Sequence, residues 1–315
     1  MNTQSNAVPG SVVGSQGIAV APLAATRPLY WSVRRELWEN RSIYIGPLAA
    51  AAVFLFGDLL SLVWLPHSMH ELVETHSTPQ RIVLAMPYAH AGMLVMVTGF
   101  LVSIFYCLDA LHAERRDRSI LFWKSLPVSD LTTVLSKASI PLLVMPLLVF
   151  AIAVPLQIVV RLVNTAALLM SGHSAAPLWT QLPLFQMELV LLYSLIVLAL
   201  WHAPIYMWLL LVSGWARRAT FLWAVFPPLA LCVVEYIAFK TSYLGHVLQD
   251  RLFGFAGAAF DLKDKAGVPI DPHFIPLTQL APTRFLGSPS LWLGLILAAI
   301  FLAAAVRLRR YQGPL

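Results

Sequence analysis

Residues 189–216 read LVLLYSLIVLALWHAPIYMWLLLVSGWA, 28 positions without a charge between Glu188 and Arg217. A bilayer core of about 30 Å takes about 20 apolar residues as a helix, because each residue rises 1.5 Å. This stretch is therefore long enough to cross a membrane, and working outward from it finds others. Residues 82–108, 138–160 and 285–306 are also uninterrupted by charge. Two more windows, about 43–65 and 221–239, carry one acid each, Asp58 and Glu235. The chain is thus expected to be an all-α integral membrane protein with six spans, at about 43–65, 87–111, 138–160, 187–213, 221–239 and 288–306.

Composition agrees. Of 315 residues 59% are hydrophobic and 11% charged, and mean hydropathy is +0.75. Soluble domains carry about 25% charged residues, so a water-soluble enzyme, a disordered chain and a disulfide-stapled scaffold are all excluded. Cys107 and Cys232 sit in apolar runs and read as small buried hydrophobes.

Basic residues set the orientation. Fourteen of the 21 Lys and Arg fall in the N-terminal segment, the loop after the second span, the loop between spans four and five, and the C-terminal tail. The opposite short loops hold only Arg81 and Arg161. Positive charge stays inside, so both termini are expected in the cytoplasm. Residues 1–27 read as a flexible tail, 28–306 as a single transmembrane domain and 307–315 as a basic tail.

Before the first span, residues 28–41 place Tyr30, Val33 and Leu37 on one helical face, with Arg34, Arg35, Glu39 and Arg41 elsewhere. The spacing predicts either an interfacial helix, apolar side in lipid, or an extension of the first span. Its Trp and Arg content favours the former. After the second span comes a dense charge cluster followed by Ile120, Leu121, Phe122 and Trp123, which places contiguous apolar residues in water. Such a patch is either a protein contact or folds back onto the bilayer. Pro127 ends the short helix expected there, and Ser129 or Asp130 can cap the next.

In this segment Tyr106, Asp109, Leu111, Glu114-Arg115-Arg116-Asp117 and Ser119-Ile120-Leu121-Phe122-Trp123-Lys124-Ser125-Leu126-Pro127-Val128-Ser129 form a pattern. It resembles the membrane subunits of the ABC type 2 exporter family, as do the six spans, the N-terminal helix and the long loop before the last span. The resemblance implies a permease subunit that forms the translocation pathway as a dimer, with a second copy or a homologue, in a bacterial-type cytoplasmic (inner) membrane. It further implies two copies of a cytoplasmic ATPase subunit, which would bind ATP and Mg. The segment matching 115–126 would be the coupling helix, so Glu114, Arg115, Arg116, Ser119, Phe122, Trp123 and Lys124 are the expected ATPase-coupling residues. The helix at 28–41 would match the family's connecting helix, and 243–260 the short helices that re-enter the membrane. This chain has no G-x-x-x-x-G-K-[ST] phosphate loop. It is therefore expected to carry no cofactor and no catalytic residues of its own, with membrane lipids as neighbours and no nucleic-acid partner.

Intramembrane charges need a partner or a task. Asp58, Glu235, Arg161 and Glu188 are the candidates for a translocation pathway, whose acidic lining would suit a cationic or amphipathic substrate; the alternative is that Arg161 simply neutralises one acid. His67, His70, Glu71 and Glu74 share a face if helical and are a weak candidate metal set. His202 reads as an interior hydrogen-bonded residue. A proton- or ion-coupled secondary transporter using Asp58, Glu188, Glu235 and His202 is the alternative function, and an enzyme built around His67–His76 a third. Prolines at 47, 141, 146, 155, 204, 227 and 228 permit kinks.

Overall fold

The computed structural model describes residues 28–62, 80–125, 128–172, 174–262 and 275–311, with backbone alone at 80–83 and 123–125. Among these the chain is helical, with no strand and one isolated antiparallel bridge between Phe260 and Leu280. Six helical stretches are long and apolar enough to cross a membrane. The protein is a multi-pass all-α membrane protein.

The helices run in chain order: α1 (Pro28–Glu39), α2 (Ser42–Ser61), α3 (Gln80–Asp109), α4 (His112–Arg116), α5 (Ser119–Ser125), α6 (Asp130–Ser139), α7 (Met145–Met170), α8 (Ala176–Thr180), α9 (Leu184–Trp215), α10 (Thr220–Phe239), α11 (Tyr243–Phe253), α12 (Phe255–Ala259), α13 (Pro282–Leu286) and α14 (Pro289–Tyr311). The stretch that opened the reading, α9, is the central post. Its apolar window is 67% buried, against 6% for α10, and it packs along α14 and against α3 and α7. Helix approach is close where glycine permits it: a Cβ at Gly99 of α3 would lie 2.5 Å from Val149 of α7.

Between α6 and α7 the helix widens into one π turn, Ile140–Val144, closed by Met145 N–H donating to the Ile140 carbonyl. Pro141 lies within its first turn and Pro146 is the second residue of α7. Each lacks the N–H that an α-helical ladder requires at its position. The expected kink is therefore a change of helical register.

The third span departs from expectation in length. The helix runs on through Arg161 to Met170 because Arg161 and Asn164 are buried among interior partners and do not mark an exit. In the first span, helix is described to Ser61.

The bundle has two unlike ends. One, the basic end, holds α1, α4, α5, α6 and the C-terminal half of α14. At the far end α11, α12 and α13 pack on α9 and α14 through a small second core of Val197, Trp201, Ala259, Phe260, Phe285 and Leu291. Trp201 Nε1 donates to the Asp250 carbonyl (3.2 Å). The Arg251 guanidinium lies over the Trp201 ring (4.7 Å) and bonds Ser290.

Candidate functional site

At the basic end, charges from four helices converge on Glu36. Helix α1 places Val33, Glu36, Leu37 and Asn40 on its inward stripe, the i, i+3, i+4, i+7 pattern. Val33 and Leu37 pack on the core, and Glu36 is fully buried. Lys137 of α6 donates to Glu36 Oε1 (2.9 Å) and reaches Glu114 Oε1 (3.1 Å). Arg35 bridges the same two acids, at 2.7 and 3.1 Å. The Tyr106 hydroxyl, at the end of α3, donates to Glu36 Oε2 (2.8 Å). Arg309 of α14 donates to Glu114 Oε2 (3.2 Å) and to Asp130. Burial by itself would raise the Glu36 pKa, but Lys137 and Arg35 outweigh it and hold the carboxyl below its usual value. The same acids lift Arg35 above its ordinary value against the opposing pull of burial.

This knot revises the expected orientation of α1. Val33 and Leu37 turn into the protein because Glu36, between them, is drawn to Lys137. The outward face instead carries Leu29, Tyr30, Trp31 and Trp38, with Arg34 over the rings of Trp31 (5.3 Å) and Trp38 (4.8 Å).

The expected coupling residues divide. Glu114 and Arg115 are buried and tied to their own chain: Arg115 donates to the Gly214 carbonyl (2.5 Å) at the end of α9, and Glu114 joins the knot. Ser119 Oγ donates to the Glu114 carbonyl (3.4 Å). Arg116 is exposed and pairs with Asp117 (3.1 Å) and Asp109 (3.7 Å). Leu121 and Phe122 are each 59% exposed, whereas Ile120 is buried. The four-residue apolar patch is thus split, since a seven-residue helix has two faces. The side chains of Trp123 and Lys124 lie outside the described residues, as does Pro127. Ser129 caps α6, accepting from Thr132 N (3.1 Å), while Asp130 serves Arg309 instead.

The far end is different. Gln157, Arg161 and Asn164 recur along one stripe of α7, all buried. Gln157 Nε2 donates to the Tyr88 carbonyl (3.0 Å). Asn164 lies beside both Asp58 and Tyr88. Arg161 pairs with no acid among the described residues. It donates to the carbonyls of Leu178 and Leu182 (3.3 Å to the latter), and the Trp179 ring covers it at 4.2 Å. Among the described residues, Asp58 Oδ2, Tyr88 Oη, Gln157 Oε1 and both carboxylate oxygens of Glu188 lack hydrogen-bond partners.

Glu235 has a local task. It accepts from Tyr243 N (2.7 Å), Leu244 N (2.9 Å) and Thr241 Oγ1 (2.9 Å), capping α11. It shares no hydrogen bond or ion pair with Asp58 or Glu188, so the structure does not bring the expected pathway acids together at one point. His202 is buried, with Nδ1 facing the Leu198 carbonyl (3.0 Å) and Nε2 facing that of Leu252 (3.3 Å). His67, His70, Glu71 and Glu74 lie outside the described residues. Among those described, no group of three His, Cys, Asp or Glu converges as a metal set.

Neither protein-family models, nor curated proteins, nor solved structures give a match to this chain. What the geometry defines is a class, a multi-pass helical membrane protein with a charge-paired knot at one end and a partly unpartnered polar cluster at the other.

Proposed function

We propose that this chain is the membrane-spanning subunit of an ATP-driven exporter of the ABC type 2 kind, pairing as a dimer and driven by a separate cytoplasmic ATPase. The observation that carries the reading is the two-sided character of α4 and α5. Their outward side offers Leu121 and Phe122 to a partner. Their inward side is wired through Glu114 and Arg115 to α1, α6, α9 and α14. A push on the exposed side is thereby passed to the bases of several helices at once, as a coupling element requires. The positive-inside bias puts this end, with both termini, in the cytoplasm. Helix α1 then lies along the inner surface with Trp31, Arg34 and Trp38 toward headgroups. Helices α11 and α12 reach in from outside to the level of Trp201. Asp58 and Glu188 lend the outer pathway its acidic character.

The test is a mild-detergent pull-down of the tagged chain from its native membranes, with mass spectrometry and an ATPase assay on the eluate. A stoichiometric ATPase subunit is expected, lost when Phe122 and Trp123 are both replaced by Ala while the protein still inserts. Truncating interface anchors of this kind costs about 2 kcal/mol or more each. An ATPase-free oligomer that still transports after reconstitution would overturn the reading. It would favour an ion-coupled carrier, for which the unpartnered carboxylates of Asp58 and Glu188 speak.

A further inference from the structure

Asp58 is a buried acid with incomplete hydrogen bonding on the inward side of α2. It is 8% exposed, and among the described residues Oδ2 has no hydrogen-bond partner and no cation pairs with the carboxylate. The one cation on the facing stripe, Arg161, is turned away to two backbone carbonyls and the Trp179 ring. A buried carboxylate in this state is unfavourable unless something positive joins it. Next to it stand the Tyr88 hydroxyl, also without a partner, and the Asn164 amide.

We infer that Asp58, Tyr88 and Asn164 form a receptor for a primary ammonium group. Such a group brings the missing positive charge together with N–H donors. Asp58 Oδ2 and Tyr88 Oη are acceptors that lack hydrogen-bond partners among the described residues, and the Asn164 carbonyl adds a further oxygen. A quaternary ammonium has the charge but no N–H and leaves these oxygens unbonded. A calcium or magnesium ion needs six or more oxygen ligands, more than this cluster offers. Gln157 Oε1 belongs to the same stripe, but lies seven residues back along α7 from Asn164, about 10 Å, and is not part of the contact.

Depth narrows the source. Asp58 lies three residues before Ser61, the last residue of α2, about 5 Å along the axis, in the outer part of the span. A primary ammonium arrives there either on the ethanolamine headgroup of a lipid or on a soluble amine. The site lies wholly within this chain, so it sharpens the preference of the proposed acidic pathway for cations without needing an ATPase. A failed pull-down leaves it standing, and a failed amine response leaves the exporter reading standing.

The experiment uses the full chain in phosphatidylcholine nanodiscs, with thermal unfolding followed by tryptophan fluorescence. Ethanolamine, choline and sodium chlorides are compared at equal ionic strength. Ethanolamine is expected to raise the midpoint by about 2–4 °C at saturating levels, with no comparable shift from choline or sodium. Asp58→Asn abolishes the ethanolamine shift. Tyr88→Phe, which keeps the ring, weakens apparent affinity about 3–10-fold. In a second arm phosphatidylethanolamine replaces part of the lipid. Stabilisation that depends on Asp58 identifies the headgroup as source, and a response confined to soluble ethanolamine identifies a free amine; either supports the site. Equal shifts from choline and ethanolamine, no shift from either amine or lipid, or a lipid effect that survives Asp58→Asn would overturn it. Should Asp58→Asn fail to fold, the wild-type contrast and Tyr88→Phe decide.

Discussion

The two ends of this bundle bury charge in opposite ways. At the basic end Glu36 and Glu114 have cations from three helices around them, and Tyr106 completes the bonding of Glu36. At the far end Asp58 and Glu188 have none among the described residues, and Arg161 spends its hydrogen bonds on backbone. A charge-paired buried cluster resists the loss of any member, because the partner left behind is a buried charge without compensation. A carboxylate that is already unpaired has little left to lose. The first arrangement holds helices together; the second keeps a place open.

The largest effect that separates the two ends is Lys137→Met. It leaves Glu36 and Glu114 short of a shared cation and should destabilise the protein by about 3–5 kcal/mol, seen as a lower unfolding midpoint in detergent. Adding Glu36→Gln should restore part of the loss, and strict additivity of the two changes would break the picture of one coupled cluster.

Acid should probe the same knot. The folded-state pKa of Glu36 lies below its unfolded value, about 4.3. Its contribution is therefore complete above that value and is lost as pH falls through the folded one. Wild-type protein should lose thermal stability progressively below about pH 4, and Glu36→Gln should remove that portion of the profile. A profile identical in the variant would place the acid sensitivity elsewhere.

Asp58→Asn, tested without amine, sharpens the contrast from the other side. Removing an uncompensated buried charge should leave stability within about 1 kcal/mol of wild type or raise it. A loss comparable to that of Lys137→Met would mean that Asp58 is paired after all. The smallest effect is Glu235→Gln, which loosens only the start of α11. Hydrogen exchange at the Tyr243 and Leu244 amides should quicken, with the spans unchanged.

Much of the architecture is legible in the sequence, because hydrocarbon leaves a helix no alternative to satisfying its own backbone. Charge-free runs locate the six long helices to within a few residues at most ends. The run at 138–160 falls short because a charge reads as an exit from the membrane, whereas Arg161 and Asn164 continue inward on the Gln157 stripe. That i, i+4, i+7 recurrence of polar residues in an apolar span was the available signal for the far cluster. Glu36 was missed for a different reason. Its neighbours Arg35 and Glu39 suggest a surface turn, and its partners lie 70 to 101 residues away in the chain. The usable hint was its place on the Val33–Leu37–Asn40 stripe. Among the coupling residues, spacing could not say that Ile120 turns in while Leu121 and Phe122 turn out, since that depends on how α5 sits against its own bundle.

The π turn at Ile140–Val144 joins the two ends, and its effect is one of phase. Lys137 lies before it; Gln157, Arg161 and Asn164 lie after it on the same continuous rod. A wide turn holds one residue more than an α turn, so everything beyond is rotated about the helix axis by roughly 100° relative to an unbroken helix. Deleting one residue there would leave both halves helical and equally apolar, yet would swing the polar stripe of α7 away from Asp58 and Tyr88. Proline at 141 and 146 thus fixes an angular offset, and the far cluster exists as a cluster only at that setting.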